Sequence, residues 1–198
     1  MPLVAIGAAD ILLYSAPPNS VLPTTAAVAV YTTPLYLWLA LSFFNNAAPA
    51  DRDLLASDVG SGRAAWARLL GGTLLATVSA VASTAFPALA GRYTHAPSAE
   101  ELALCAAIAI TTALAATGLA ALLAEPTVRT PGAAALALAV GALAAVPLDV
   151  PPIPIARAAG HISIDRLASH VAPDLGGLLL FAAAAMVAAS TLWIRVET

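Results

Sequence analysis

Long apolar runs, separated by short polar segments, dominate the hydrophobic pattern of the chain. Five of these runs reach or approach the roughly 20 residues that an α-helix needs to cross a bilayer. They are Thr25–Phe44, Leu69–Ala90, Leu102–Ala124, Gly132–Val150 and Leu175–Ile194. The pattern therefore predicts five membrane-spanning helices.

A shorter apolar run, Pro2–Ala16, opens the chain and contains Asp10. About fifteen residues cross a bilayer only if the membrane thins or the helix tilts little. We interpret this run as a shortened first span, and the alternative is a helix that lies in the membrane interface. Asp10 and Asp149 both fall near predicted helix ends, so each is interpreted as a capping or interfacial residue.

A charged segment, Asp51–Arg68, separates the first two of the five long runs. Gly60 divides it into two short helical pieces, because glycine readily ends a helix. Ser61 is the predicted N-cap of the second piece, which continues into the membrane. Two interpretations remain open, a docking helix for a soluble partner and a solvated helical loop. The candidate docking residues are Asp51, Leu54, Leu55, Asp58, Val59 and Arg63.

A second polar insert, Asp149–Asp174, precedes the last apolar run. Within it, His161–Val171 is amphipathic, and its apolar face carries Ile164, Leu167 and Val171. This pattern predicts a short external helix that lies in the bilayer interface.

Composition favours helices in a lipid environment. The 198 residues are 61% hydrophobic and only 10% charged, whereas soluble domains are close to half apolar. Alanine and leucine, both good helix formers, supply most of the apolar positions. The predicted fold is therefore all-α, a single transmembrane domain of about six helices with a short first span.

The distribution of arginines predicts the orientation of the chain in the membrane. An even number of spans places both termini on one side. If that side is the cytoplasm, the inner arginines are Arg52, Arg63, Arg68, Arg129 and Arg195, and the outer ones are Arg92, Arg157 and Arg166. This excess agrees with the positive-inside rule. We expect a multi-pass plasma-membrane protein with cytoplasmic termini.

The chain offers few groups for catalysis or ion coupling. It contains no GxxxxGK[ST], HExxH, GxSxG or CxxC motif, and Cys105 stands alone in an apolar run. His161, Asp165 and His170 are not spaced to converge on one metal ion. The net charge of −3 and the lack of a basic patch disfavour nucleic acid. We expect no catalytic residue, metal or cofactor, and energy supplied from outside the chain.

Small residues recur along one face of the second long run. Gly72, Ala76, Ala80 and Thr84 follow one another every fourth position, and Gly118 lies in the next run. Such faces let helices approach closely in membranes. The pattern predicts packing and does not specify a function.

This layout resembles the membrane subunit of ABC-2 type exporters. Those subunits have six helices, a cytoplasmic coupling helix between the second and third, and short helices in the external loop between the fifth and sixth. Asp51–Arg68 and Asp149–Asp174 occupy the corresponding positions. The tract Tyr14–Thr25 is similar to that of actinobacterial-type permeases. The first helix is shorter than the family pattern.

The resemblance implies a translocation pathway shared with a second membrane subunit, identical or different. It also implies separate ATP-binding subunits that dock on the cytoplasmic coupling helices, and an apolar pathway suits a lipophilic or amphipathic cargo. The main alternative is a structural or assembly membrane protein that transports nothing. A membrane enzyme or secondary carrier is a further alternative, which the scarcity of polar groups within the spans disfavours.

Overall fold

The computed structural model describes residues 1–15, 20–46, 57–94, 96–124 and 164–197. The described residues are mainly helical, and no strand occurs among them. The helices are α1 (Pro2–Leu13), α2 (Val21–Asn45), α3 (Ser61–Leu89), α4 (Ala99–Leu123) and α5 (Ile164–Glu197). The prediction of an all-α fold is confirmed for this part of the chain.

Among the described residues, four helices are long and apolar enough to cross a membrane: Val21–Asn45, Ser61–Leu89, Ala99–Leu123 and Ala172–Arg195. At a rise of about 1.5 Å per residue, each exceeds the roughly 30 Å of hydrocarbon in a bilayer. The 12 residues of α1 extend only about 18 Å by the same rise. Four predicted spans therefore have counterparts in the structure, whereas Gly132–Val150 lies outside the described residues.

The start of α4 follows its sequence signal closely. The Ser98 hydroxyl accepts a hydrogen bond from the Glu101 backbone N–H at 3.1 Å, and the Glu101 carboxylate accepts one from the Ser98 N–H at 2.8 Å. This reciprocal capping box satisfies two N–H groups that a helix start otherwise leaves unpaired. A serine followed three residues later by a glutamate predicts such a cap from the sequence alone, and the structure confirms it.

The charged residues before the second long run extend α3 by two turns. This helix begins at Ser61 and continues through Arg68 into the apolar run, as predicted. The prediction that Ser61 caps the helix is wrong, because Gly60 occupies the N-cap position. Gly60 has φ of +87°, a conformation that glycine adopts without the steric cost a side chain would add.

The last helix differs from the predicted arrangement of a short amphipathic helix followed by a separate span. Ile164, Leu167 and Val171 lie in the first turns of α5, which continues through Pro173 to Glu197. Proline removes one helical hydrogen bond, but membrane helices tolerate it where the freed backbone is satisfied otherwise. The amphipathic stretch and the last span therefore form one continuous helix.

Two clusters of buried apolar side chains define the ends of the bundle. Phe44 and Trp193 pack where α2 and α5 end, and we call this the Trp193 end. Val21, Cys105 and Leu178 pack where α2 and α4 begin and in the first half of α5, and we call this the Cys105 end. Helices α2 and α5 therefore run from the Cys105 end to the Trp193 end.

The directions of α3 and α4 follow from their connections. Helix α3 starts at the Trp193 end, where Gly62 lies under the Ile194 side chain, and it returns to the Cys105 end. A short connection at residues 90–98 then leads into α4, which runs back towards the Trp193 end. Helices α4 and α5 are therefore parallel neighbours.

Small residues let these helices approach closely. A Cβ atom on Gly118 of α4 would lie 3.1 Å from both the Ala182 carbonyl oxygen and the Ala185 Cβ of α5. A Cβ atom on Gly72 of α3 would lie 2.6 Å from the buried Phe44 ring. The predicted packing role of both glycines is confirmed. The rest of the predicted face, Ala76, Ala80 and Thr84, is also buried.

Candidate functional site

The predicted docking segment lies at the Trp193 end, before α3. Residues 57–59 are helical and exposed, and Val59 exposes 45% of its surface. Asp58 and Arg63 are exposed as well, on either side of Gly60. Asp51, Leu54 and Leu55 lie outside the described residues. The structure thus places three of the six candidate residues together on the surface at one end of the bundle.

Arg68 joins the base of α3 to two other helices. Its Nη2 atom donates a hydrogen bond of 2.8 Å to the backbone carbonyl of Phe44, at the end of α2. Its guanidinium carbon lies 4.5 Å from the centroid of the Trp193 ring on α5. The Phe44 and Trp193 rings also meet edge to face at 5.5 Å.

The chemistry of this contact suits its location. The last carbonyls of a helix carry a partial negative charge, so a cation placed there satisfies an unpaired acceptor. The indole face attracts the same cation through its quadrupole. Arg68 lies only two turns after Gly60, so the contact fixes the point from which the docking segment emerges. From the sequence, Arg68 is recognisable only as one of the cytoplasmic arginines, because its partners lie far away along the chain.

A polar cleft lies in the half of the bundle nearer the Cys105 end, among α1, α2, α3 and α4. Its cavity measures about 10 Å³. Six of its lining residues carry hydroxyl groups, and they are Tyr14, Thr25, Thr32, Tyr36, Ser83 and Thr84. The remaining lining residues are Val28, Ala29 and Ala109. The fold brings these six side chains together from separate parts of the chain.

Asp10 lies beside this cleft and is only 4% exposed. Its Oδ2 atom accepts a hydrogen bond of 2.7 Å from the Ser83 hydroxyl of α3. The interpretation of Asp10 as a capping or interfacial residue is therefore wrong. Its position one turn before the end of α1 gave no indication of burial, because α1 is apolar on all sides and no polar face marks its orientation.

Two tyrosines lie at the outer end of the cleft. The rings of Tyr14 and Tyr93 meet edge to face at 6.1 Å. Phenols ordinarily have a pKa of about 10, and burial raises the pKa of Tyr93 above this, so both tyrosines keep their protons at physiological pH. The hydroxyl of Thr25 lies beside them, within hydrogen-bonding reach of both phenols. This end of the cleft therefore consists of neutral hydroxyl groups.

The part of the chain that the structure describes holds no group of three or more His, Cys, Asp or Glu side chains that could bind a metal. Cys105 is a buried free thiol in α4. The predicted contacts of Ile164, Leu167 and Val171 with the bilayer interface stay a prediction. Comparison of the chain with models of protein families, with curated proteins and with solved structures finds no match in any of the three.

Proposed function

We propose that the chain is the membrane-spanning subunit of an ATP-driven exporter of the ABC-2 type. In this proposal it forms the translocation pathway with a second membrane subunit, and separate ATP-binding subunits dock on the cytoplasmic face. The observation that carries the proposal is the direct connection, through Gly60, between the exposed residues 57–59 and α3, whose base Arg68 joins to α2 and α5.

This direct connection between the docking segment and α3 supports transmission of motion from a docked partner. A force applied to the segment reaches α3 directly, since the helix begins at Ser61. The hydrogen bond and the ring contact of Arg68 transmit this force to α2 and α5, so the three helices move together. A solvated loop that only connected two spans would need no such attachment.

The parallel arrangement of α4 and α5 supports the six-span layout of this family. Helix α4 ends near the Trp193 end, and α5 begins at the Cys105 end. Residues 125–163 therefore connect opposite ends of the bundle. We infer that they cross the membrane once more, through the predicted span Gly132–Val150. With α1 as a short first span, the total is six.

Docking can be tested on the apolar residues of the segment. We expect a protein with a GxxxxGK[ST] motif to copurify with the tagged chain from its native membranes. Replacing Leu54, Leu55 and Val59 together by glutamate should abolish this association, because the apolar contact is lost and three charges enter it. Quantitative mass spectrometry of the purified complexes measures the change.

A matched control places new charges at the opposite end of the bundle. The double variant Ala90→Glu and Ala96→Glu alters two exposed residues near the Cys105 end and should leave the association unchanged. Retained ATPase in the triple variant would refute the docking assignment. Absence of any such ATPase from the wild-type preparation would refute the proposed function and favour a structural membrane protein.

A further inference from the structure

We propose that Asp10 is a proton-binding site inside the bundle, loaded through the hydroxyl-lined cleft from the Cys105 end. This site is independent of the docking of an ATPase and adds a function to the membrane subunit. It rests on three features of the structure, which are the burial of the carboxyl group, its incomplete hydrogen bonding and the path of hydroxyls that leads to it.

The carboxyl group is only half satisfied. Ser83 donates to Oδ2, whereas Oδ1 is buried and has no hydrogen-bond partner among the described residues. An ionised carboxylate in an apolar interior needs several donors or a cation to offset its lost hydration. A single hydroxyl donor does not provide this, so the contact suits a neutral carboxyl group that carries a proton.

The groups that face Asp10 are neutral. Helix α3 presents Ser83, and α2 presents Tyr36, the titratable group nearest on that side. On α1 itself, Tyr14 follows one turn later. Arg68 is held by Phe44 and Trp193 at the other end of the bundle, and Arg92 is exposed. Among the described residues, no arginine therefore compensates a charge on Asp10.

The cleft supplies a route for a proton. Its hydroxyls run from Thr25 and Tyr14, near the Cys105 end, to Tyr36 and Ser83 beside Asp10. A cavity of about 10 Å³ has room for roughly one water molecule and none for an organic ligand. The dimensions of the cleft thus suit a proton and its carriers.

Transfer along this route conserves every proton. A proton that arrives from water bonds to a hydroxyl oxygen, and that hydroxyl releases its own proton to the next acceptor. The last transfer forms an O–H bond on the Asp10 carboxylate, and each hydroxyl then rotates back. The hydroxyl of Thr25 lies beside the phenols of Tyr14 and Tyr93, so it can exchange protons with them in this way.

Proton binding controls how α1 packs. This helix contacts α2 and α3, and Asp10 makes its polar contact with Ser83. Loss of the proton leaves a charge in an apolar interface, where its cost favours separation of α1 from α3. The protonated form therefore keeps α1 docked, and the ionised form loosens it.

Infrared spectroscopy of the purified protein tests the site. At neutral pH we expect a C=O stretching band of a protonated carboxyl group that is missing from Asp10→Asn and retained in Glu100→Gln, which alters an exposed carboxylate. Ser83→Ala removes the hydrogen bond to Oδ2 and should move the band to higher frequency. This second variant keeps the test decisive if Asp10→Asn does not fold.

Hydrogen exchange tests the consequence for α1. On raising the pH, exchange of α1 amides should increase more than that of α4 amides in the same sample, and Asp10→Asn should abolish this excess. Identical infrared spectra of the wild type, Asp10→Asn and Ser83→Ala at neutral pH would overturn the proposal. Loss of the band on adding sodium at constant pH would also overturn it, because a sodium ion would then occupy the site.

Discussion

Replacing Gly118 by leucine should separate α4 from α5 and destabilise the protein severely. A Cβ atom alone would lie 3.1 Å from the Ala182 carbonyl oxygen, and backbone atoms cannot move aside as a flexible side chain does. Overpacking of a close-packed interior costs about 1–3 kcal/mol, and we expect at least the upper part of that range here. Thermal unfolding in detergent measures the loss.

Gly177→Leu is the matched control for this substitution. Gly177 lies on α5, is exposed, and has open space where its Cβ atom would be. Gly177→Leu should therefore leave the unfolding temperature almost unchanged. Equal destabilisation by the two variants would show that the loss of a glycine, and not a clash between α4 and α5, causes the effect. The close α4–α5 contact would then be incorrect.

Arg68→Met should loosen the Trp193 end of the bundle. The substitution keeps much of the aliphatic stem but removes both the donor to the Phe44 carbonyl and the cation over Trp193. Hydrogen bonds that involve a charged group contribute about 1.5–3 kcal/mol, and partial exposure of Arg68 favours the lower end of this range. We therefore expect a smaller fall in stability than for Gly118→Leu, but a larger fall in the ATPase association.

Two arginine controls separate stability from coupling. Arg92→Met changes an exposed arginine at the Cys105 end and should affect neither property. Arg68→Lys keeps the charge but loses the planar guanidinium that stacks on the indole ring, so it should restore only part of the stability. If Arg68→Met behaves like Arg92→Met in unfolding and copurification, the contact of Arg68 with α2 and α5 has no mechanical role.

The spans were predictable because their signals are local. About 20 consecutive apolar residues predict a membrane helix irrespective of its neighbours. The capping box of Ser98 and Glu101 is equally local, and the structure reproduces it. The charged start of α3 was predictable for the same reason, since the residues after Gly60 favour a helix.

The polar contacts were not predictable because they join distant parts of the chain. Asp10 and Ser83 are 73 positions apart, and neither lies on a polar face that would reveal its partner. Arg68 meets Phe44 across 24 positions. In an apolar helix every face resembles the others, so the fold alone decides which side is buried.

The prediction for the start of α5 was wrong for a different reason. The amphipathic stretch His161–Val171 lies within the polar insert Asp149–Asp174, so the pattern predicted a short helix separate from the last span. The helix continues through Pro173 to Glu197. A change from polar to apolar residues along the chain does not require a helix to end, and a proline within a membrane helix is tolerated where neighbouring groups satisfy the backbone.

Site-directed cysteine labelling tests the proposed membrane topology most directly. Cys105 is fully buried, so the wild-type chain should not react and provides the background. With a membrane-impermeant maleimide, Glu100→Cys and Ser163→Cys should react on intact cells, and Ser57→Cys only after the membrane is permeabilised. Reaction of Ser57→Cys and Ser163→Cys on the same side would contradict a crossing within 125–163 and, with it, the six-span exporter subunit.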